Sequence, residues 1–278
     1  MKSFLCGLIG AGIQESRSPA LHEHEADAQG LRYLYQKIDL DELGVGVEAL
    51  PELLTAAERM GFAGLNITYP CKQAIVPLLH ELSDEARALG AVNTVVLKRG
   101  RRIGHNTDSS GFAKAFRRGL PEVKRDRVVQ LGAGGAGAAV AHAALQLGVR
   151  ELTIFDIDGV KAAELAKKLG ATPGHDLRAA MAAADGLIHC TPTGMAKMPG
   201  LPLPAELLRA SQWVSEIVYF PLETELLRVA RSKGCRTLDG SGMAVFQAAG
   251  AFRLFTGVEP DAERMLRHFA AYTAERNS

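Results

Sequence analysis

The sequence predicts an α/β protein of two domains, one of them built on a doubly wound parallel sheet. Three observations carry this expectation. Short apolar runs that read as buried strands alternate with helical stretches along most of the chain, the order that gives right-handed βαβ units. A glycine run, "GAGGAG", follows one such strand and opens a helix. The chain has 278 residues, more than one core ordinarily organises.

The opening "MKSFLCGLIGAGI" places one lysine before an apolar run, as a secretory leader does. The run is short, and "QESRSP" stands where a small-residue cleavage site belongs, so it reads as a first strand. "SPALHEHEADAQG" reads as a helix with Pro19 in its first turn and Gly30 as its stop. "YLYQKID" is a strand, "VEALPELLTAAERMG" a helix closed by Gly61, and "LNIT" a third strand. That strand breaks at Tyr69-Pro70, because proline cannot continue a central strand and restricts the residue before it. "AVNTVVL" and "RRIGHN" flank "KRG" as a hairpin.

A helix, "SSGFAKAFRRG", opens just after Asp108. Strand "RVVQL", the glycine run and helix "AAVAHAALQLG" come next, then "ELTIFD" and "VKAAELAKKLG". "LRAAMAAAD", "GLIHC", "WVSEIV", "TELLRVARSKG" and "RTLD" continue the alternation, and two helices close the chain. Residues 1–107 are therefore expected to form an N-terminal α/β substrate domain and 108–239 the domain with the glycine run. Helices within 240–278 are expected to return to the first domain and leave a cleft beside it.

Lys plus Arg is 32 against 31 for Asp plus Glu, so no charge excess draws the chain to nucleic acid or to an anionic membrane. No apolar stretch is long enough to span a bilayer. Cys6, Cys71, Cys190 and Cys235 are scattered without a CxxC pair. Neither a metal site nor a disulfide framework is expected, and a reducing cytoplasm is the default compartment. "HEHE" at His22–Glu25 suggests a metal, but adjacent helical residues do not share a face, so it reads as polar helix surface. "GSG" around Ser241 lacks the nucleophile-elbow pattern, and Cys71 has no implied histidine partner.

The glycine run places Gly132, Gly134 and Gly137 in GxGxxG spacing, interleaved with Ala133, Gly135 and Ala136. Between a strand and a helix this is the Rossmann-type fingerprint: a tight turn, close approach of a pyrophosphate, and close helix packing. The helix N-terminus offers unpaired N–H groups to the phosphates. Asp156 ends the next strand, where a carboxylate accepts hydrogen bonds from the ribose hydroxyls of NAD, or else merely caps the next helix. Asp158 adds negative charge and no arginine follows in "FDIDGVK". NAD is favoured over NADP, with Lys161 the one residue that softens the preference.

"QESRSPALH" puts Ser16 and Ser18 at alternate positions of an extended segment, where both hydroxyls point the same way. They meet one carboxylate, or Ser18 simply caps the following helix. In isolation Asp108 reads as an N-cap and Lys72 as a solvated lysine.

The set "ESRSPALH", "NITYPCK", "GAVNT", "NTD", "GAGGAG", "TPTGM", "VYFPLETELL" and "GMAVFQ", in this order, resembles the shikimate/quinate dehydrogenase family over nearly the whole chain. "FDID", in place of that family's Asn-Arg-Thr-type loop, looks like its NAD-preferring branch. The resemblance implies a cytoplasmic enzyme of aromatic amino acid biosynthesis, monomer or homodimer, that interconverts shikimate and 3-dehydroshikimate. Quinate and aminoshikimate are the alternative substrates. It implies that Ser16 and Ser18 bind the carboxylate of a cyclic hydroxy acid. Thr68, Asn93, Tyr219 and Gln247 bind its ring hydroxyls, with Asn66 nearby. Lys72 and Asp108 are the implied catalytic pair, and Thr191, Gly240 and Met243 lie along the nicotinamide side. Glu15 stands where a histidine is frequent in the family, and Glu216 where an aspartate is.

The chemistry suits that set. Oxidising a secondary alcohol moves a hydride to the nicotinamide while a protein group takes the hydroxyl proton. A protein that only senses NAD has no need of the Lys72 and Asp108 pair. A methyltransferase reading is disfavoured by the fully spaced fingerprint and the hydroxyl-rich N-terminal half.

Overall fold

The computed structural model describes residues 2–275, with side chains for 2–271. The chain packs as two units: residues up to Thr107 together with those from Val245 onward, and Asp108–Ala244. It leaves the first unit at the start of the helix Thr107–Gly119 and re-enters it within the helix Ser241–Thr256.

In the first unit, β1 (Ser3–Gly10), β2 (Arg32–Asp39), β3 (Gly64–Ile67), β4 (Glu81–Leu82), β5 (Thr94–Lys98) and β6 (Arg101–His105) form one sheet in the order β2-β1-β3-β5-β6-β4. β1 pairs in parallel with β2 and β3. β5 runs antiparallel to β3 and to β6, the latter being the hairpin expected around "KRG". Side chains alternate along β1 as the pleat requires. Cys6 and Leu8 join Ile13, Tyr35, Ala251 and Phe255, whereas Ile9 joins Leu50, Leu54, Leu65 and Val95. The sheet is thus covered on both faces. The helix Leu50–Arg59 supplies Leu50, Leu54 and Ala57 from a single stripe.

The "HEHE" segment departs from expectation. In the helix Ser18–Ala28, His22 and Glu25 are buried rather than on a polar surface. His22 sits among the rings of Tyr33, Tyr35, Phe252 and Phe255, and burial pulls its pKa down to about 3. Glu25 accepts hydrogen bonds from Arg264 Nε and Nη2 at 2.8 Å each, from Asp261 N at 2.8 Å and from Gln29 Nε2 at 2.6 Å. Arg264 and Asp261 come from the far end of the chain, so the helix's own periodicity carries no trace of them.

Burial pushes the Glu25 carboxyl up, but hydrogen bonds from Arg264, Gln29 and the Asp261 N–H outweigh it and hold the pKa below its ordinary value. A depressed carboxyl contributes stability that is complete above the unfolded pKa and lost as pH falls through the folded one. Arg264→Ala strands a buried carboxylate, at a cost of about 3 kcal/mol or roughly 10 °C in Tm at pH 7. Thermal unfolding of both proteins at pH 7 and in acid checks this. The deficit should narrow in acid, where Glu25 is protonated in each; an equal deficit at both pH values removes the ion pair as its cause.

In the second unit, β7 (Arg127–Leu131), β8 (Glu151–Phe155), β9 (Thr172–Pro173), β10 (Gly186–His189), β11 (Trp213–Glu216) and β12 (Arg236–Leu238) lie in the order β12-β11-β10-β7-β8-β9. Every neighbouring pair is parallel. The winding reverses between β7 and β10, and in such sheets ligands bind beyond the carboxyl ends of the strands at that reversal. Val128 and Ile188 pack with Phe112 and Val140 on one face; Val129 and Leu187 pack with Met181 and Leu226 on the other. Burial on both faces explains why these strands read as unbroken apolar runs.

Candidate active site

The glycine turn of the second unit is shaped by contacts that a side chain would break. Gly132 follows β7 with φ +104°, where glycine is at home. A Cβ there would lie 2.6 Å from the Cys190 carbonyl oxygen, and one on Gly137 would lie 2.3 Å from the Gly132 carbonyl oxygen. Gly134 caps the helix Gly135–Gln146, and a Cβ on it would meet nothing within 4 Å. A tight turn, an open approach and a close packing contact are what a bound pyrophosphate requires, so the residues fit a dinucleotide. Gln130, one polar residue within an apolar strand, is fully buried beneath the turn. Its Nε2 donates to the carbonyls of Gly132 and Gly137 at 2.9 Å each.

Asp156 is tied to this turn. Its Oδ2 accepts from Ala133 N at 2.7 Å and its Oδ1 from Asp158 N at 2.9 Å. The helix-capping role falls to Asp158, which accepts from Val160 N and Lys161 N at the start of the helix Gly159–Leu169. The Lys161 ammonium stands 3.6 Å from Asp158, both side chains largely in solvent.

Across the reversal, Thr191 follows β10 and is held from below. His189, fully buried, has Nε2 at 2.5 Å from Thr191 Oγ1 and Nδ1 at 2.9 Å from both oxygens of Glu216. Glu216 also accepts from Val218 N at 2.9 Å and from Thr224 Oγ1 at 3.2 Å. His189 and Glu216 are register partners at the ends of β10 and β11. Tyr219 is partly exposed after β11. A Cβ on Gly240 would touch the carbonyls of Ile217 and Val218 at 2.5 Å. Met243 is buried in the cluster with Phe112. Asp108 is buried in the first turn of its helix, one residue beyond the start.

In the first unit, β3 delivers Asn66 and then Thr68, and the chain breaks at Tyr69-Pro70 into the short helix Cys71–Ala74. Thr68 N still bonds Ile9 O at 2.9 Å, and Val92 N bonds the Lys72 carbonyl at 2.8 Å. The turn that carries Lys72 is therefore pinned to its neighbours, with the Lys72 side chain half-buried. Cys71 beside it is buried, which pushes its thiol up to about 11 and removes it as a nucleophile at neutral pH. Asn66 and Asn93 are buried together: Asn66 Nδ2 donates to the Asn93 carbonyl at 3.2 Å. Ser18 does not cap its helix, whose N-cap is Arg17. Ser16 and Ser18 instead bond each other, Oγ to Oγ at 3.3 Å. Gln247 is half-buried on the helix Ser241–Thr256.

Residues 8–95 match the family model of the shikimate dehydrogenase substrate binding domain, and residues 240–268 that of the shikimate 5'-dehydrogenase C-terminal domain. A shikimate dehydrogenase (NADP(+)) of Streptomyces avermitilis is 60% identical over 278 residues, covering 96% of this chain and 95% of that protein. The chain belongs to the shikimate dehydrogenase family. It is an oxidoreductase of the shikimate and quinate dehydrogenase type, acting on a CH–OH group with a nicotinamide cofactor. A second relative in the family, the quinate/shikimate dehydrogenase (NAD(+)) of Corynebacterium glutamicum, is 49% identical and covers 96% of this chain and 98% of its own. Among solved structures, the quinate dehydrogenase of Corynebacterium glutamicum in complex with NAD has a TM-score of 0.92 at 46% identity, covering 98% and 100% of the two chains. The shikimate 5-dehydrogenase of Thermus thermophilus in complex with NADP(H) and shikimate has a TM-score of 0.88 at 36% identity, covering 96% and 99%.

Proposed function

We propose that this family member interconverts shikimate and 3-dehydroshikimate, uses NAD, and moves the hydroxyl proton through Lys72 and Asp108. The observation that carries the reading is the pinned turn after β3, which holds Lys72 at the exit of a strand whose last residues offer Asn66 and Thr68. Bound nicotinamide supplies the hydride chemistry. In the reducing direction the Lys72 ammonium polarises the ketone oxygen and gives it a proton, and in the oxidising direction the amine receives it. Asp108 is the carboxylate partner in that transfer. Ser16 and Ser18 bind the ring carboxylate, and Thr68, Asn93, Tyr219 and Gln247 bind ring hydroxyls. Quinate is the second substrate, a reading favoured by the quinate enzymes among the relatives of this chain.

The cofactor preference rests on charge. Asp156 and Asp158 stand together where the ribose hydroxyls are read, with no arginine between them. A 2′-phosphate about 4 Å from one such carboxylate meets ~1 kcal/mol of repulsion in water and ~4 at an effective dielectric near 20. Steady-state assays with shikimate and quinate, each against NAD and NADP, test the whole reading. Shikimate with NAD should give the highest kcat/KM, and a wild-type preference for NADP refutes the cofactor assignment. Asp156→Asn removes the charge and keeps one acceptor. It should raise the NADP-to-NAD ratio of kcat/KM between about tenfold and a thousandfold.

A further inference from the structure

The first unit holds a hydrogen-bonded network of buried side chains beside the serine pair. Ser16 Oγ donates to Ser18 Oγ at 3.3 Å. The Ser18 side chain adjoins the Tyr35 phenol. Tyr35 Oη donates to Asn66 Oδ1 at 2.8 Å. Asn66 Nδ2 donates to Thr94 Oγ1 at 3.0 Å, Thr94 Oγ1 to Asn93 Oδ1 at 2.9 Å, and Asn93 Nδ2 to Thr107 Oγ1 at 2.9 Å. Tyr35, Asn66, Asn93, Thr94 and Thr107 are all buried. Water therefore does not substitute for a missing partner in the middle of the network, and linked bonds polarise one another in such surroundings.

We propose that Tyr35 is a positioning residue for the substrate site, holding Asn66 and through it the asparagine pair in the geometry that binds the cyclic acid. The proposal rests on the assignment of Ser16, Ser18, Asn66 and Asn93 to substrate made above. Tyr35 and Thr94 touch no substrate in this scheme; they act through the side chains they hold.

A hydroxyl has one proton to give. The Tyr35 phenol gives its proton to Asn66 Oδ1. That bond fixes the side-chain amide, whose nitrogen is directed at Thr94 Oγ1 and the Asn93 carbonyl. A phenylalanine at 35 keeps the ring in the cluster with Cys6, Leu8 and Phe255 yet leaves Asn66 Oδ1 buried without its donor. The amide is then held only from its nitrogen side, and the ring-hydroxyl side of the site loses part of its fixed geometry. The sequence hid this link because Tyr35 reads as one more apolar position of a strand.

Steady-state kinetics on the full-length enzyme test the proposal. Tyr35→Phe should raise the KM for shikimate about tenfold, the effect of leaving one buried acceptor unpaired. kcat and the KM for the dinucleotide should stay within about twofold, a split that general loosening of the fold does not produce. Thr94→Val breaks the same network on the other side of Asn66 and should give the same split. Combined, the two substitutions should cost less than the product of their separate effects, because they disable one unit. Thermal unfolding of each variant keeps any loss of folded protein separate from the kinetic effect. Independent, multiplying effects, or a Tyr35→Phe enzyme with unchanged shikimate KM, would overturn the proposal. Ser16→Ala separates its failure from that of the reading beneath it. If Ser16→Ala raises the shikimate KM while Tyr35→Phe does not, the link is wrong. If neither does, the substrate assignment itself falls.

Discussion

Lys72→Ala is expected to lower kcat about a thousandfold while leaving the KM values for both substrates within about threefold, the middle of the range for loss of a positioned acid–base group. The expectation follows from where the residue stands. The turn Thr68–Cys71 is held by Thr68 N on Ile9 O and by Cys71 N on Thr68 O, and none of these bonds involves the lysine side chain. Truncation should therefore leave the turn in place and remove the proposed proton donor. Lys72→Arg should fail to rescue turnover, since a guanidinium does not release its proton at any pH the enzyme survives. Pre-steady-state measurement of a single turnover locates the loss in the chemical step. Unimpaired turnover in Lys72→Ala would remove the lysine from proton transfer and with it the proposed pairing with Asp108.

A second large effect is expected at the glycine turn, where two substitutions of the same size should behave differently. Gly137→Ala drives a methyl to 2.3 Å from the Gly132 carbonyl oxygen, with backbone on both sides of the clash. The turn must open, and overpacking of this kind costs about 1–3 kcal/mol of stability. The dinucleotide KM should rise by about a hundredfold or more as the cradle deforms. Gly134→Ala puts its methyl where no atom of the chain lies within 4 Å. It should leave Tm unchanged and still raise the dinucleotide KM about tenfold, as expected of the space proposed for the pyrophosphate. Shikimate KM at saturating dinucleotide checks that the first unit is undisturbed. A Gly134→Ala enzyme with normal dinucleotide KM would place the phosphates elsewhere.

What the sequence disclosed and what it concealed divide along a physical line. The alternation of strands and helices, the hairpin at "KRG", the glycine spacing and the break at Pro70 are local, and each was legible from a few consecutive residues. Partnerships made across the sheets were not. His22 and Glu25 looked like polar helix surface because the groups that bury and bind them, Phe252, Phe255 and Arg264, stand more than two hundred residues away. The pairing of His189 with Glu216 depends on the register of β10 against β11, which no single strand encodes. Gln130 and Tyr35 each occupy an apolar run and differ from their neighbours only in reaching a buried polar atom.

The first unit is discontinuous in the chain, and this bears on how the protein is made. The strands of both sheets are contiguous in sequence, but Asp108–Ala244 holds every element of its unit, whereas the first unit waits for the residues from Val245 onward. The N-terminal unit, which ordinarily matures first, is here the one whose packing is completed last. Until the closing helices appear, Cys6, Leu8 and Tyr35 lack Ala251 and Phe255, and Glu25 lacks its arginine. A nascent chain stalled before residue 245 thus presents a naked oily sheet face beside an orphan acid, a surface made for a chaperone, and only release of the final segment relieves it.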